Sequence, residues 1–338
     1  MQMVSLAEGG TLQARYAWSG AADPSGNSFS FAAAHGGGEH AAIVTPGASG
    51  FELAWAKGGD PAGAQRVNIG DVFPAALTVH GSTVMLGIGT TLVEVAFGED
   101  DPSPRVVHKR EGLGNKAYDV FASAGDWMVA VDDMALPYYA DSLRLGTAGR
   151  ARHEAGFALP SLINGTYQFA QLHRTADLEG SLYVVTRFGV ISGHGHQLAR
   201  LPMKRGVPTL VVDSPLNSGA AGVAVEEFVA RPSGDVSVVA GETMTAWTGL
   251  ALVEDGETVP AVLVAAGARG LLQFPAEVGP GVQATVLDLG SPCLDVIADA
   301  GRVWVLTQAA VVSMRWADGA LVEQSRLALT DASTRWAR

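Results

Sequence analysis

The sequence has few basic residues, a single cysteine and no long apolar segment. It contains 22 Lys and Arg residues against 34 Asp and Glu residues, which gives a formal net charge of −12 at pH 7. Proteins that bind nucleic acid neutralise phosphates with clustered Lys and Arg, but the densest basic group, His108 to Arg110, is followed directly by Glu111. We therefore expect no nucleic-acid partner. The same shortage of positive charge argues against binding to an anionic membrane surface.

The lone Cys293 has no partner for an intramolecular disulfide and cannot form a structural zinc site by itself. Its apolar neighbours Leu294 and Val296 predict a buried, unreactive thiol. Residues 1–10 lack the basic and apolar regions of a secretory signal, and no stretch approaches the roughly 18 uninterrupted apolar residues of a membrane span. These absences predict a cytoplasmic protein without a membrane partner.

Glycine, in contrast, is frequent, with 42 residues, and it recurs at near-regular intervals. Seven glycines each precede a short apolar run: Gly38, Gly81, Gly125, Gly180, Gly234, Gly256 and Gly301. The successive intervals are 43, 44, 55, 54, 22 and 45 residues. Runs such as Thr83–Ile88, Trp127–Val131 and Val303–Thr307 are rich in Val, Leu and Trp, and a second turn follows each of them. This pattern predicts repeated antiparallel meanders whose central strands are buried on both faces.

A meander of about 45 residues repeated along a chain is typical of β-propellers, and the sequence resembles β-propeller proteins over residues 28–330. The resemblance is one of architecture. The Trp-Asp dipeptides of one propeller family and the kelch and quinoprotein signatures of others are absent, so no named family is matched. A generic β-rich domain or a pair of β-sandwiches is the alternative fold.

The resemblance implies one all-β domain, a β-propeller with seven blades. Six or eight blades are alternatives, because the interval between Gly234 and Gly256 is short and residues 207–213 offer a further strand. Residues 1–18 are predicted to supply a closing strand that pairs with Leu321–Leu329, so that N- and C-terminal strands close the ring. The predicted repeat units are residues 28–73, 74–115, 116–161, 166–217, 222–248, 249–290 and 293–330.

Carboxylates recur near the seven glycines that precede the apolar runs. Asp119 lies six residues before Gly125, and Asp295 lies six residues before Gly301. Glu226 and Glu227 occupy the corresponding region of another unit. Because the innermost strand of each blade lines the channel of a propeller, these four residues are candidates for a ligand-binding ring at the channel mouth, suited to a hard cation or a basic partner. The alternative is that they only solvate strand ends.

Histidine is the other candidate ligand. His194 and His196 lie two residues apart in a Gly-rich segment, and His173 lies on the predicted inner strand of the same unit. Imidazoles with this spacing suit a divalent metal, although no further ligand is identifiable in the sequence.

Two function classes remain, an interaction scaffold and an enzyme or ligand binder. The sequence shows no Gly-x-Ser-x-Gly elbow and no phosphate-binding Gly-Lys-Ser/Thr loop, so no catalytic residue is assigned. We expect a non-enzymatic scaffold that binds another protein and needs no cofactor. The alternative is a metal-dependent hydrolase or lyase, or a small-ligand binder, with a divalent metal at the mouth of the central channel.

Overall fold

The structure, a computed structural model, describes residues 2–6, 12–17, 31–35, 40–57, 61–97, 102–110, 117–132, 138–146, 150–159, 166–190, 193–208, 227–230, 247–255, 258–277, 282 and 284–329. Within these ranges the regular elements are strands, apart from one short 3-10 helix, Pro61–Gly63. No helix in the described part of the chain is long and apolar enough to cross a membrane.

The apolar runs form antiparallel meanders of consecutive strands, and we call each such sheet a blade. Before the first blade, β1 (Gln2–Leu6) and β2 (Leu12–Ala17) pair with each other. The first blade contains β3 (Phe31–His35), β4 (His40–Gly47), β5 (Gly50–Lys57) and β6 (Gln65–Gly70). The second contains β7 (Ala76–His80), β8 (Thr83–Ile88), β9 (Thr91–Ala96) and β10 (Pro104–Lys109). The third contains β11 (Tyr118–Ala124), β12 (Trp127–Asp132), β13 (Tyr139–Arg144) and β14 (Arg152–Ala158).

Three further blades follow. The fourth has five strands: β15 (Thr166–Ala176), β16 (Glu179–Val190), β17 (Gly193–Lys204), β18 (Val207–Pro208) and β19 (Glu227–Ala230). The fifth contains β20 (Gly249–Asp255), β21 (Thr258–Ala265), β22 (Leu271–Pro275) and β23 (Thr285–Leu287). The sixth contains β24 (Cys293–Asp299), β25 (Arg302–Thr307), β26 (Ala310–Ala317) and β27 (Ala320–Ala328).

Each blade packs face to face against the next along the chain. The first strands of successive blades, β3, β7, β11, β15, β20 and β24, lie side by side in that order. Apolar clusters fill the spaces between blades; one joins Leu53 and Leu86 of the first two blades, and another joins Trp127 and Leu182 of the third and fourth. This radial stacking of four-stranded meanders is the architecture of a β-propeller, so the chain is an all-β repeat protein of that type.

The described residues form fewer blades than the sequence pattern predicts, and they do not show the predicted pairing of the terminal strands. Six sheets of four or five strands are described, whereas seven units are predicted. The predicted unit 222–248 lies mostly outside the described residues, and its β19 pairs with β17 of the fourth blade. Strand β2 packs beside β27 but pairs with β1. Closure by pairing of the terminal strands therefore stays a prediction.

Turn geometry explains why the recurring glycines do not mark equivalent positions in successive blades. In the β11–β12 turn, Gly125 is the first of two turn residues and has φ of 58°. In the β24–β25 turn, Ala300 and Gly301 both have positive φ, 45° and 73°, so the glycine is the second turn residue. Positive φ at both central positions is typical of a type I′ turn. An alignment on glycine alone is thus displaced by one residue between these blades.

The prediction for the single cysteine is confirmed. Cys293 is fully buried on β24, and burial raises the pKa of its thiol to about 11. Thiolate is the reactive form of cysteine, so this side chain acts as a small apolar residue of the core between the last two blades.

We expect Gly87→Ala to destabilise the protein, because a Cβ at this position of β8 would lie 2.1 Å from the backbone oxygen of Tyr118 on the next blade. The blades must separate locally to admit the methyl group. Overpacking of this kind lowers the free energy of unfolding by about 1–3 kcal/mol. The matched control is Gly63→Ala, where a Cβ meets no atom within 4 Å. Urea unfolding of both variants measures the effect, and equal midpoints for the two would contradict this account of the blade contact.

Candidate functional site

The structure places the predicted carboxylates at non-equivalent positions. Asp119 lies at an irregularity of β11, between the paired residues Tyr118 and Val120. Asp295 pairs with Leu306, and its Oδ1 accepts a hydrogen bond of 2.9 Å from the backbone N–H of Val296. It also packs on the neighbouring inner strand, because a Cβ on Gly249 would lie 2.4 Å from Oδ1. Glu226 lies outside the described residues, as does the side chain of Glu227, so the carboxylate ring stays a prediction.

The predicted histidines lie on one blade but at different heights. His173 of β15 pairs with Ser181 on β16, whereas His196 and His194 of β17 pair with Arg187 and Gly189 at the other end of that strand. Six residues of strand span about 20 Å, so the backbone register does not bring the three positions together. His173 is buried, and its Nδ1 lies 3.1 Å from Glu254 of the fifth blade. The side chains of His194 and His196 lie outside the described residues.

A different group of metal-ligating side chains does converge, at the seam between the second and third blades. Its members are His108 on β10, Asp141 on β13 and His153 on β14, and their ligand atoms all lie within 4.8 Å of one another. Strand alternation directs Asp141 and its cross-strand partner Gly156 to the same face of the third blade. The last strand of the second blade passes over that face and brings His108 to the carboxylate.

Both imidazoles point at one oxygen. Nε2 of His153 lies 2.9 Å from Oδ1 of Asp141, and Nε2 of His108 lies 3.6 Å from the same atom. The two rings are stacked, with centroids 4.0 Å apart and an angle of 6° between their planes. The carboxylate is 1% exposed, whereas the imidazoles are 25% and 30% exposed. The two rings are therefore partly open to solvent, whereas the carboxylate between them is not.

The other carboxylate oxygen is held by the protein. Oδ2 of Asp141 accepts a 2.5 Å hydrogen bond from Nη2 of Arg110 and a hydrogen bond from the phenol of Tyr118. The Arg110 guanidinium also lies over the ring of Tyr139, 4.6 Å from its centroid. These contacts fix the carboxylate plane and leave Oδ1 directed at the imidazoles. Groups that orient a ligand in this way raise the metal affinity of a site.

The charge states follow from these contacts. Burial by itself raises the pKa of Asp141, but hydrogen bonds from Arg110, Tyr118 and His153 outweigh it and hold the pKa below its ordinary value. Burial and the Asp141 charge raise the pKa of Tyr118 well above its usual range, so the phenol stays a donor. Burial lowers the pKa of His108 despite the opposing effect of Asp141. At neutral pH the site therefore holds a carboxylate and a neutral His108 imidazole, the forms that bind metals.

A groove of about 440 Å³ opens over this group, and we call it the seam groove. Its lining residues are His108, Lys109, Arg110, Tyr139, Asp141, His153, Gly156 and Phe157. Gly156 keeps the floor of the groove open, because a Cβ there would lie 2.9 Å from Oδ1 of Asp141 and 3.5 Å from Nη2 of Arg110.

Sequence reasoning missed this group. Residues 108–110 stand out only as a basic cluster, and His153 has no metal-binding spacing to any other ligand in the sequence. The one local signal is Asp141, a carboxylate in the middle of a short strand that also carries the apolar residues Ala140 and Leu143. Such a residue must find partners when it is buried, but the pattern does not say which strand supplies them.

Comparisons with known proteins show similarity to solved structures alone. No family model and no curated protein matches the chain. Among solved structures, the chain is similar to Hsv2 of Kluyveromyces lactis, with 11% identity, 88% of this chain and 84% of that chain covered, and a TM-score of 0.45. It is similar to a chain of the mitotic checkpoint complex, with 10% identity, coverage of 85% and 76%, and a TM-score of 0.49. It is also similar to apo AztD from Citrobacter koseri, with 8% identity, coverage of 89% and 86%, and a TM-score of 0.49. Likenesses this distant do not bear on function.

We expect Asp141→Asn to destabilise the protein strongly, because it leaves the Arg110 guanidinium in the seam without its anion. Removing one partner of a buried pair costs about 3–5 kcal/mol of unfolding free energy. The matched control is Glu52→Gln, which breaks the exposed Arg66–Glu52 pair and should cost about 0–1 kcal/mol. Chemical unfolding of both variants checks this, and an Asp141→Asn loss no larger than that of Glu52→Gln would refute the buried pairing.

Proposed function

We propose that this β-propeller is a binding protein that holds a divalent transition-metal ion, Zn²⁺ first among them, in the seam groove. The observation that carries the proposal is the convergence of two imidazole nitrogens on one buried carboxylate oxygen. Tetrahedral zinc with bonds of about 2.1 Å sets neighbouring ligand atoms about 3.4 Å apart. The separations of 2.9 Å and 3.6 Å bracket that value.

The ligand set favours a transition metal over calcium or magnesium. Two imidazoles and one carboxylate suit zinc and its neighbours, whereas Ca²⁺ and Mg²⁺ prefer oxygen ligands throughout. Three protein ligands leave one position of a tetrahedral ion open, as in zinc sites that bind a small molecule. His108, Asp141 and His153 all line the seam groove, so a small molecule would reach a bound ion from there. The geometry thus supports the small-ligand binder among the functions expected from the sequence, with the site at the outer strands of two blades.

Removal of both imidazoles should abolish zinc binding, because a single carboxylate that is already bonded to Arg110 and Tyr118 cannot hold the ion alone. In isothermal titration calorimetry with ZnCl₂, we expect the double variant His108→Asn, His153→Asn to bind at least about 100-fold more weakly than the unaltered protein. Co²⁺ should give the visible spectrum of a four-coordinate site in the unaltered protein and not in the variant.

Two further variants sharpen this test. Gly156→Ala should weaken zinc binding without removing a ligand, because its Cβ would crowd Oδ1 of Asp141. His173→Asn is the control, since it alters a histidine that the sequence pattern nominates and that lies outside the seam groove. Zinc affinity that depends on His173 rather than on His108 and His153, or the absence of any zinc binding, would overturn the proposal.

The interaction scaffold expected from the sequence is a second proposal, supported by apolar side chains exposed on β24. Leu294 is 41% exposed and Ile297 is 57% exposed on this first strand of the sixth blade. The two residues are three positions apart on one strand, and apolar side chains grouped on an exposed surface are a feature of protein-binding sites. We propose that another protein docks there, through apolar contacts.

A photo-crosslinking residue at position 297 should capture a specific partner in cells, and Leu294→Asp should abolish that capture by placing a charge in the contact. The same crosslinker at Val286, which is 57% exposed on β23, is the matched control. Identical captured proteins from positions 297 and 286, or capture that survives Leu294→Asp, would exclude β24 as a docking strand.

A further inference from the structure

The two faces of the sixth blade differ in how completely they are covered. Val296, Val303 and Val305 lie on the face that packs against the fifth blade, and they are buried. Strand alternation places Ile297 and its cross-strand partner Trp304 on the opposite face. We call this opposite face the closing face, and its apolar residues are Ile297, Trp304, Leu306, Val311 and Leu327.

Cover of the closing face ends at the innermost strand. Leu306 and Val311 are 5% and 3% exposed, whereas Ile297 on β24 is 57% exposed. Apolar side chains on other first strands, such as Leu77 of β7 and Leu252 of β20, are each 7% exposed. Strand β20 of the fifth blade packs on β24, whereas no strand of the first blade or of the β1–β2 pair lies against it to a comparable extent in the described part of the chain. The described blades therefore leave one place open beside β24, and Ile297 lines it.

The β1–β2 pair indicates what kind of element fits this place. It lies near the outer end of the sixth blade, because β2 packs beside β27. It has two strands, whereas each described blade has four or five, and its two edges are not paired with any other described strand. Two-stranded sheets are marginally stable in water, and an exposed edge accepts a further strand through its backbone N–H and C=O groups. A strand that pairs with this edge and packs on Ile297 would extend the small sheet across the closing face.

We infer that a partner protein inserts an extended β-strand into this place, pairs its backbone with the β1–β2 sheet and covers Ile297 with an apolar side chain. The inference rests on the proposed docking at β24 and specifies what the partner presents. A helix satisfies its own backbone groups and would leave the edges of the β1–β2 sheet unpaired, so an extended segment fits better. Strand addition takes its affinity from backbone hydrogen bonds and its specificity from alternate side chains. The partner segment should therefore carry apolar residues at every second position.

A phage-displayed library of random peptides of about 12 residues, long enough for one strand, supplies the probe when it is panned on the full chain. We expect the selected peptides to show apolar residues with a period of two, and a synthetic copy to bind in fluorescence polarisation. Ile297→Asp should weaken that binding at least about tenfold, because it places a charge against an apolar side chain of the peptide. Val286→Asp is the matched control, since Val286 is also 57% exposed but lies on the outer strand of the fifth blade. Because both side chains are more than half exposed, both variants should keep the thermal unfolding midpoint of the unaltered protein.

Proline substitutions in the peptide distinguish a strand from other bound forms. An edge strand exchanges hydrogen bonds with only alternate residues of an antiparallel neighbour, and proline cannot donate a backbone hydrogen bond. Proline should therefore abolish binding at alternate positions and be tolerated better at the positions between them. Uniform sensitivity along the peptide, or apolar residues spaced as on a helix face, would overturn the inference of a strand.

The outcomes separate this inference from the docking proposal. Partner capture at position 297 that is lost in Leu294→Asp, together with no selected peptide or with peptides whose binding ignores Ile297→Asp, keeps the docking proposal and overturns the strand. Absence of both capture and peptide binding overturns the docking proposal and the inference with it. A dimer of the chain in analytical ultracentrifugation that Ile297→Asp dissociates would identify a second copy as the occupant, and that result also overturns a partner protein.

Discussion

Face-to-face packing of one antiparallel sheet on the next is the constraint from which the other features of this protein follow. A four-stranded meander with apolar residues on both faces cannot be stable alone, because each face needs a neighbour to exclude water. The central strands of the blades accordingly read as near-continuous apolar runs, and side chains such as Trp127, Met85 and Val305 are fully buried between sheets. The tolerance for added atoms at these contacts is small, as the approach of Gly87 to Tyr118 illustrates.

Stacked blades also bring polar side chains together across a seam. Between the third and fourth blades, Asp126 pairs with Arg174 and Arg144, and these charges compensate one another within the protein. The seam between the second and third blades differs. There Asp141 is likewise compensated on one oxygen, but its other oxygen faces two imidazoles that remain open to solvent. The same packing principle thus produces a structural ion-pair network at one seam and a site with free ligand capacity at the next.

The repeated strands could be read from the sequence because burial on both faces imposes a composition. The predicted run Thr83–Ile88 coincides with β8, and Trp127–Val131 lies within β12. Which residues of different blades are equivalent could not be predicted, because tight turns accept glycine at either central position. Gly125 and Gly301 use different positions, so counting back from them to Asp119 and Asp295 reaches residues that are not equivalent.

The seam groove could not be predicted from the sequence, for a related reason. Its three metal-ligating residues stand at positions 108, 141 and 153 in separate strands, and their meeting depends on the docking of one blade on another as well as on pairing within a blade. No spacing rule connects residues across such an interface. The local sequence pattern shows which residues are buried in strands. A site between blades depends instead on how the outer strands of two blades are positioned against each other.

The division of this group between two blades has a consequence for how the molecule is assembled. Asp141 and His153 come from neighbouring strands of one hairpin, a contact of low sequence separation that can form early. His108 joins them only when the second blade docks, so the stacking of its ring on His153 marks the completed interface. An ion held by all three would cross-link the outer strands β10 and β14 of two blades, in addition to the apolar packing between their inner strands.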